Sequence, residues 1–231
     1  MARPGPRRTL SEDHLLDAAQ ELLAAQGVAG LSVRKLAGAV GVAPNAVYTY
    51  FPDRAAVLAA LVERVLGRAV ERARSAVSGP GSAPGGADWR GRVLALATAV
   101  RTELLAEPGV VQLMAGVPPT GPSALAIGEL LLEVLTGAGL APAAAARGSY
   151  LLIVHVLGSV TLEVAELTEP GAPPPEEERV AARLRAFAEA VPAEQYPRTA
   201  ELAPVIAEYV TTAQFEWGVE RILDGLAAHA P

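Results

Sequence analysis

SVRKLAGAVGVAPNAVYTYFPDR, residues 32–54, is the stretch that decides how this chain folds. Its second half gathers Tyr48, Tyr50 and Phe51 within four residues, in a chain with only three Phe, five Tyr and one Lys. The segment is too short and too polar to be a core. Ser32 can cap a short helix, and Ala37 is small where two helices would cross. Gly41, four residues on, permits a tight turn, and Val47, six further, is an apolar plug. Ala-x3-Gly-x5-Val is the geometric demand of a helix-turn-helix. Pro44 suits the first turn of its second helix. The exposed face of that helix would be Pro44, Asn45, Ala46, Tyr48 and Thr49, hydrogen-bonding and small apolar groups that suit base edges, thymine methyls and phosphates. Small-x3-Gly pairs also occur in ordinary helix hairpins, so spacing alone leaves both readings open.

Helical patterns extend from this stretch in both directions. Thr9 to Gln26 reads as an amphipathic helix with Ser11 as cap, acidic Glu12 and Asp13 in its first turn, and Leu15, Ala18, Ala19, Leu22 and Leu23 at helical spacing; Gly27 stops it. Pro52-Asp53 breaks the recognition helix, and Asp53 caps a fourth helix running to about Val77. Ser78–Ala87 is a Gly/Pro/Ser linker. Helical periodicity resumes at Asp88–Glu107, Val110–Ala115, Gly121–Thr136 and Pro142–Leu167. Glu176–Val191 is highly charged, and Glu201–Ala228 gives the last one or two helices. No alternating β-branched run is bounded by hairpin turns. The expected fold is all-α: a helix-turn-helix unit over 1–54 with a basic arm, a connecting helix over 55–77, the linker at 78–87, and a larger helical domain over 88–231.

The formal net charge of −6 argues against nucleic acid, but its distribution does not. Residues 1–75 carry ten Lys+Arg against seven Asp+Glu, and residues 76–231 nine against eighteen. Only the first segment is suited to a polyanion. Zero Cys excludes disulfides and thiolate metal sites, and three scattered His do not make a zinc site. No metal or other cofactor is implied. The basic N-terminus has no apolar run behind it, and no stretch of ~18 apolar residues runs free of charge or helix breaker, which points to a soluble cytoplasmic protein with no membrane partner.

Residues 11–66 resemble the DNA-binding domain of the tetracycline-repressor family. The resemblance is carried by Leu31-Ser32-Val33-Arg34-Lys35-Leu36-Ala37, Gly41-Val42, Val47-Tyr48-Thr49-Tyr50-Phe51-Pro52-Asp53-Arg54 and Val57-Leu58. Where the family pattern is Tyr-x-His-Phe-x-x-Lys-x-x-Leu, Tyr50 replaces the His and Arg54 the Lys. The resemblance implies that Tyr48 and Tyr50 face the duplex, that Phe51 turns inward, and that Arg54 lies near a phosphate. It further implies that Ser32 and Arg34 contact the flanking backbone. Arg7 and Arg8 in the arm would add phosphate or minor-groove contacts.

The stretches His155–Val160 and Phe215–Leu226 resemble the dimerising helices of the tetracycline-repressor subgroup. Gly158 and Gly218 would let two helices approach closely, with Leu157, Thr161, Phe215 and Ile222 around them, as two helices from each of two chains form a four-helix interface. The same resemblance implies a small-molecule chamber bounded by Trp89, Val93, Leu96, Val100, Met114 and Leu131. The family's drug-binding members hold a drug-bound magnesium with His and polar groups. Leu96, Val100 and Met114 are apolar at such positions, which implies a more hydrophobic effector held by shape and a few groups such as Gln112, His155 or Thr161.

The function implied is a homodimeric, ligand-responsive repressor bound to a double-stranded DNA operator and released by a small-molecule effector. An enzyme would need a nucleophile elbow, a phosphate loop or a metal-spaced His pair, and none is present. A protein-binding helical scaffold would carry a more apolar face than Pro44, Asn45, Tyr48 and Thr49.

Overall fold

A computed structural model describes residues 10–77, 88–114, 120–166 and 174–228. Among these residues the chain forms α1 (Glu12–Gly30), α2 (Val33–Val40), α3 (Pro44–Tyr48), α4 (Arg54–Val77), α5 (Trp89–Leu105) and α6 (Pro108–Met114). It continues through α7 (Pro122–Gly137), α8 (Pro142–Glu166), α9 (Glu176–Ala190), α10 (Pro197–Glu201), α11 (Ala203–Ile206) and α12 (Thr212–Ala227), with no strand. The all-α expectation holds. The arm residues Arg7 and Arg8 and the linker Ser78–Ala87 lie outside the described residues.

Local chemistry sets the first four helices. Ser11 Oγ accepts the His14 N–H at 3.2 Å, and Glu12 and Asp13 complement the positive end of α1. Gly27, at φ 65°, interrupts α1 where a stop was expected, and a last turn follows it. Ser32 Oγ accepts the Lys35 N–H at 3.2 Å and starts α2. Gly41, at φ 73°, ends it, and the Val42 N–H donates back to the Ala37 carbonyl at 2.9 Å. Asp53 Oδ1 accepts the Ala56 N–H at 2.8 Å and opens α4. Leu15, Ala19, Leu36, Ala37, Val47, Phe51, Val57 and Leu61 are buried together, so the small head has one core shared with the start of α4.

The remaining helices pack around α5, which meets α4, α6, α7, α8 and α12. Val93, Leu96, Leu104, Leu135, Leu152, Val160, Val219 and Leu223 fill the space between them. Burying each such side chain contributes about 1.5–3 kcal/mol. By length and composition α8 could cross a bilayer, although it carries Arg147, Gly148, Gly158 and Glu163. One stripe of it (Leu152, Val156, Val160, Val164) is buried within the chain.

Two features differ from the sequence reading. Residues 192–211 form the short turns α10 and α11 before Thr211 caps α12, its Oγ1 accepting the Gln214 N–H at 3.1 Å. And α9 buries no residue at all. Polar side chains hold it: Arg183 Nε donates to the Ala207 carbonyl at 2.6 Å, and Glu176 Oε2 accepts from the Thr212 N–H at 2.9 Å.

Candidate nucleic-acid interface and effector chamber

The crossing of α2 and α3 is built as the spacing demands: Ala37 is 1% and Val47 0% exposed. This leaves Pro44, Asn45, Tyr48 and Thr49 exposed on α3 and its end, while Ala46 is half-buried and its face partly hidden. Thr49 Oγ1 leans back on the Asn45 carbonyl at 3.4 Å. Tyr48 projects outward at 51% exposure. The exposed face presents hydroxyls, an amide and a proline ring, and no charge.

The cations around that face are mostly engaged elsewhere. Arg54, expected beside a phosphate, is half-buried; its Nε donates to the Leu31 carbonyl at 2.7 Å and Nη2 to the Val28 carbonyl at 2.5 Å. It fastens the end of α1 to the start of α4 through Nε and Nη2. Lys35 Nζ donates to Gln26 Oε1 at 2.6 Å, and Arg64 pairs with Asp17. Arg34 is exposed at the first turn of α2 and has no partner among the described residues. Ser32 Oγ is occupied by its cap. Tyr50, expected to face the duplex, is 38% exposed, and its hydroxyl donates to the Leu10 carbonyl at 2.7 Å, tying the entry of α1 to the end of the reading helix.

In the larger bundle Val93, Leu96, Val100, Met114 and Leu131 are buried and face one core, while Trp89 is half-buried beneath the Arg90 guanidinium, 5.5 Å from its ring. Gln112 is exposed, because α6 turns Val110, Val111 and Met114 inward instead; it does not reach that core. His155 stacks on Phe215 with centroids 5.4 Å apart and Nε2 3.0 Å from the Phe215 carbonyl. Beside them lies a polar cluster that sequence reasoning missed. Arg101, 6% exposed, donates to Glu163 Oε2 at 2.7 Å and to Thr212 Oγ1 at 3.2 Å, and its guanidinium stands 5.1 Å from the Phe215 ring. Arg179 approaches Glu163 from α9 at 3.6 Å. The available signal was an Arg and a Glu on otherwise apolar helix faces, at VRTELL and LEVAEL.

The expected dimer residues divide. Gly158 and Thr161 are exposed, and Leu157 and Ile222 half-buried. Phe215 is 3% exposed and packs inside its own chain. Gly218 makes room for the His155 ring of the same chain: a Cβ there would lie 2.6 Å from His155 Nε2. Within the single chain these two serve internal packing. The outward stripe of α8 and α12 consists of Leu151, Val154, Leu162 and Trp217, all about half exposed or more. The sequence reading did not single out Leu151, Val154 or Leu162, and it included Trp217 only within the stretch Phe215–Leu226.

Head and bundle meet at a polar junction. Glu107, just past α5, accepts from Gln20 of α1 and from Arg68 Nη2 of α4 at 2.9 Å. Glu103 accepts from Arg68 Nε at 3.1 Å and Arg72 Nε at 2.7 Å. Burial alone would raise the Glu103 carboxyl, but the hydrogen bonds and charges of Arg72 and Arg68 outweigh it and hold the pKa below the ordinary value. An open cleft of about 700 Å³ adjoins this junction, lined by His14, Arg64, Ala106 and Glu107 among others.

Comparison with known proteins agrees with this geometry. Residues 15–61 match the family model for bacterial regulatory proteins of the tetR family, and residues 81–230 that for the tetracyclin repressor-like C-terminal domain. An HTH-type transcriptional regulator of Saccharopolyspora erythraea is 31% identical over 154 residues, which are 67% of this chain and 61% of that protein. The chain therefore spans less than two thirds of that relative. The tetracycline repressor protein class A from transposon 1721 of Escherichia coli is 29% identical over 228 residues, covering 94% of this chain and 91% of that one. The crystal structure of a possible TetR family transcriptional regulator from Streptomyces coelicolor A3(2) superposes with a TM-score of 0.76 at 34% identity, covering 94% of this chain and 99% of that one.

Proposed function

We propose, from the premise that this chain belongs to the tetracycline-repressor family, that it is a ligand-responsive DNA-binding repressor acting as a homodimer. The observation that carries the reading is the crossing of α2 and α3. Ala37 and Val47 close the crossing, and they leave Pro44, Asn45, Tyr48 and Thr49 as an exposed, uncharged reading face. Such a face reads base edges and thymine methyls in a major groove.

A second copy of the chain would pair through the outward stripe of α8 and α12. Leu151, Val154 and Leu162 flank the exposed Gly158, and Trp217 adds an aromatic anchor. Two helices from each chain then form a four-helix interface with isologous symmetry. The pairing holds two heads about 34–36 Å apart, one turn of DNA, so each reaches a half-site of a palindromic operator.

The effector enters the bundle around Val93, Leu96, Val100, Met114 and Leu131, a lining that favours an apolar molecule over a magnesium-chelated one. Release is a population shift. An effector that prefers a wider head spacing lowers operator affinity by its differential affinity for the two states. The coupling runs through α4, whose Arg68 and Arg72 grip Glu103 and Glu107, and through the α1 contact of Gln20 with Glu107.

The test is selection of binding sites from random duplex DNA by the full chain, with light scattering on the same sample. A palindromic site bound by two chains supports the reading. Failure to enrich any duplex, or binding by a single chain to an asymmetric site, would sink it.

A further inference from the structure

We propose that the guanidiniums of Arg101 and Arg179 receive an acidic group of the effector, so that the effector is a mostly apolar molecule carrying a carboxylate. This deepens the effector-responsive reading above and rests on it.

Two guanidinium donors of this cluster are left over. Glu163, 5% exposed, is the one deeply buried carboxylate among the described residues of this cluster, and it serves two guanidiniums. Arg101 takes its Oε2 at 2.7 Å, while Arg179 stands 3.6 Å from Oε1, beyond a good hydrogen bond. The Nε of Arg101 and the Nε of Arg179 are both buried without a hydrogen-bond partner. A buried donor left unpaired costs about 1–3 kcal/mol, and more when charged. A second anion brought to this place is therefore favoured by two donors that nothing among the described residues satisfies.

Glu176 already marks where such an anion sits. Its Oε2 accepts from the Thr212 N–H at 2.9 Å and the Thr212 Oγ1 at 3.1 Å, at the N-terminus of α12, and lies 3.9 Å from Arg179 Nη2. Helix N-termini attract carboxylates through their free N–H groups and dipole. Glu176 is the weak member of the cluster, 37% exposed and reaching Arg179 only loosely. It acts as a stand-in that an effector carboxylate displaces into water. The rest of the effector then lies in the apolar chamber lined by Val93, Leu96 and Val100, on the same helix as Arg101.

Entry requires α9 to move, and α9 is built to do so. It buries no side chain and is held by Glu176, Arg179 and Arg183. Replacing Glu176 removes one of these tethers and redirects another, so occupancy loosens α9 from α8 and α12.

The experiment measures binding of 1-naphthoate and of its neutral analogue 1-naphthamide to the full chain by calorimetry and by thermal shift. Wild type should bind the carboxylate and be stabilised by it, with the amide at least about tenfold weaker. Arg179→Gln, at the rim of the cluster, should lose about tenfold in 1-naphthoate affinity with little change for the amide. Glu176→Ala removes the stand-in and should bind 1-naphthoate more tightly than wild type although its own melting temperature falls; a merely structural Glu176 would give the fall without the gain. Equal binding of acid and amide, no binding of 1-naphthoate by wild type, or unchanged affinity in Arg179→Gln overturns the proposal. Operator binding without any ligand is scored separately on the same preparations, so a chain that binds 1-naphthoate but no DNA refutes the repressor reading and leaves the acid site standing.

Discussion

Gly218 of α12 faces His155 of α8 so closely that an added Cβ would lie 2.6 Å from Nε2 and 3.2 Å from Nδ1. The ring cannot retreat freely, because Nε2 is 3.0 Å from the Phe215 carbonyl and the ring stacks on Phe215. Gly218→Ala should therefore destabilise the fold by about 1–3 kcal/mol through overpacking. Thermal melting checks this, and His155→Ala in the same chain should recover part of the loss. Gly158, where a Cβ meets nothing within 4 Å, should accept Ala with little cost to the isolated chain. If Gly218→Ala melts like wild type, the glycine is not there to admit His155.

Arg54 and Arg34 should separate stability from DNA contact. Arg54→Gln removes charged donors from the Leu31 and Val28 carbonyls and should cost about 2 kcal/mol of stability. It should leave the salt dependence of operator binding unchanged. Arg34 has no partner among the described residues, so the melting temperature of Arg34→Gln should hold while the slope of log affinity against log salt falls by about one per half-site. Measuring both slopes decides the matter; a reduced slope for Arg54→Gln would return that residue to the phosphate backbone.

Glu103 makes the junction between α4 and α5 pH-sensitive. Its folded pKa lies below the ordinary value of 4.5, held there against burial by Arg72 and Arg68. A depressed carboxylate contributes stability that is fully present above 4.5 and is lost as pH falls through the lower folded value. Urea midpoints should drop on acidification below that range. Glu103→Gln should lower the midpoint at neutral pH and flatten the acid limb; an acid limb identical to wild type would remove Glu103 from the explanation.

The head was legible in the sequence because its determinants are local. Ser11, Ser32 and Asp53 cap the helices that start beside them, and Gly41 turns the chain within four residues of Ala37. The hydrogen bonds of Arg54 were not legible because its acceptors, Val28 and Leu31, lie 26 and 23 residues upstream and are backbone carbonyls, which no residue pattern advertises. Gly218 and Phe215 read as close-packing residues, and within the single chain His155 is what they pack against. An apolar helix face signals burial without saying whether its own chain or a second copy covers it. The Arg101–Glu163 pair spans 62 residues and joins two helices whose contact only the fold creates. The outward stripe of Leu151, Val154 and Leu162 was invisible for the opposite reason: in sequence it looks like the buried stripe of Leu152, Val156 and Val160 one or two positions away.

Tyr48 and Phe51 are three residues apart and should give opposite phenotypes. Phe51 is 4% exposed and holds the end of the reading helix against the head core. Phe51→Ala should cost about 3–5 kcal/mol, as large aromatic truncations in cores do, and operator binding would fall with the folded fraction. Tyr48 is 51% exposed and bonds to nothing among the described residues. Tyr48→Ala should leave stability within about 0.5 kcal/mol of wild type and the dimer mass unchanged. Its operator affinity should nonetheless drop by roughly tenfold or more, the cost of one good base contact. Gel-shift titration at fixed salt, paired with melting curves of the same preparations, tells the two apart. Wild-type operator affinity in folded Tyr48→Ala would show that α3 does not read DNA through this face.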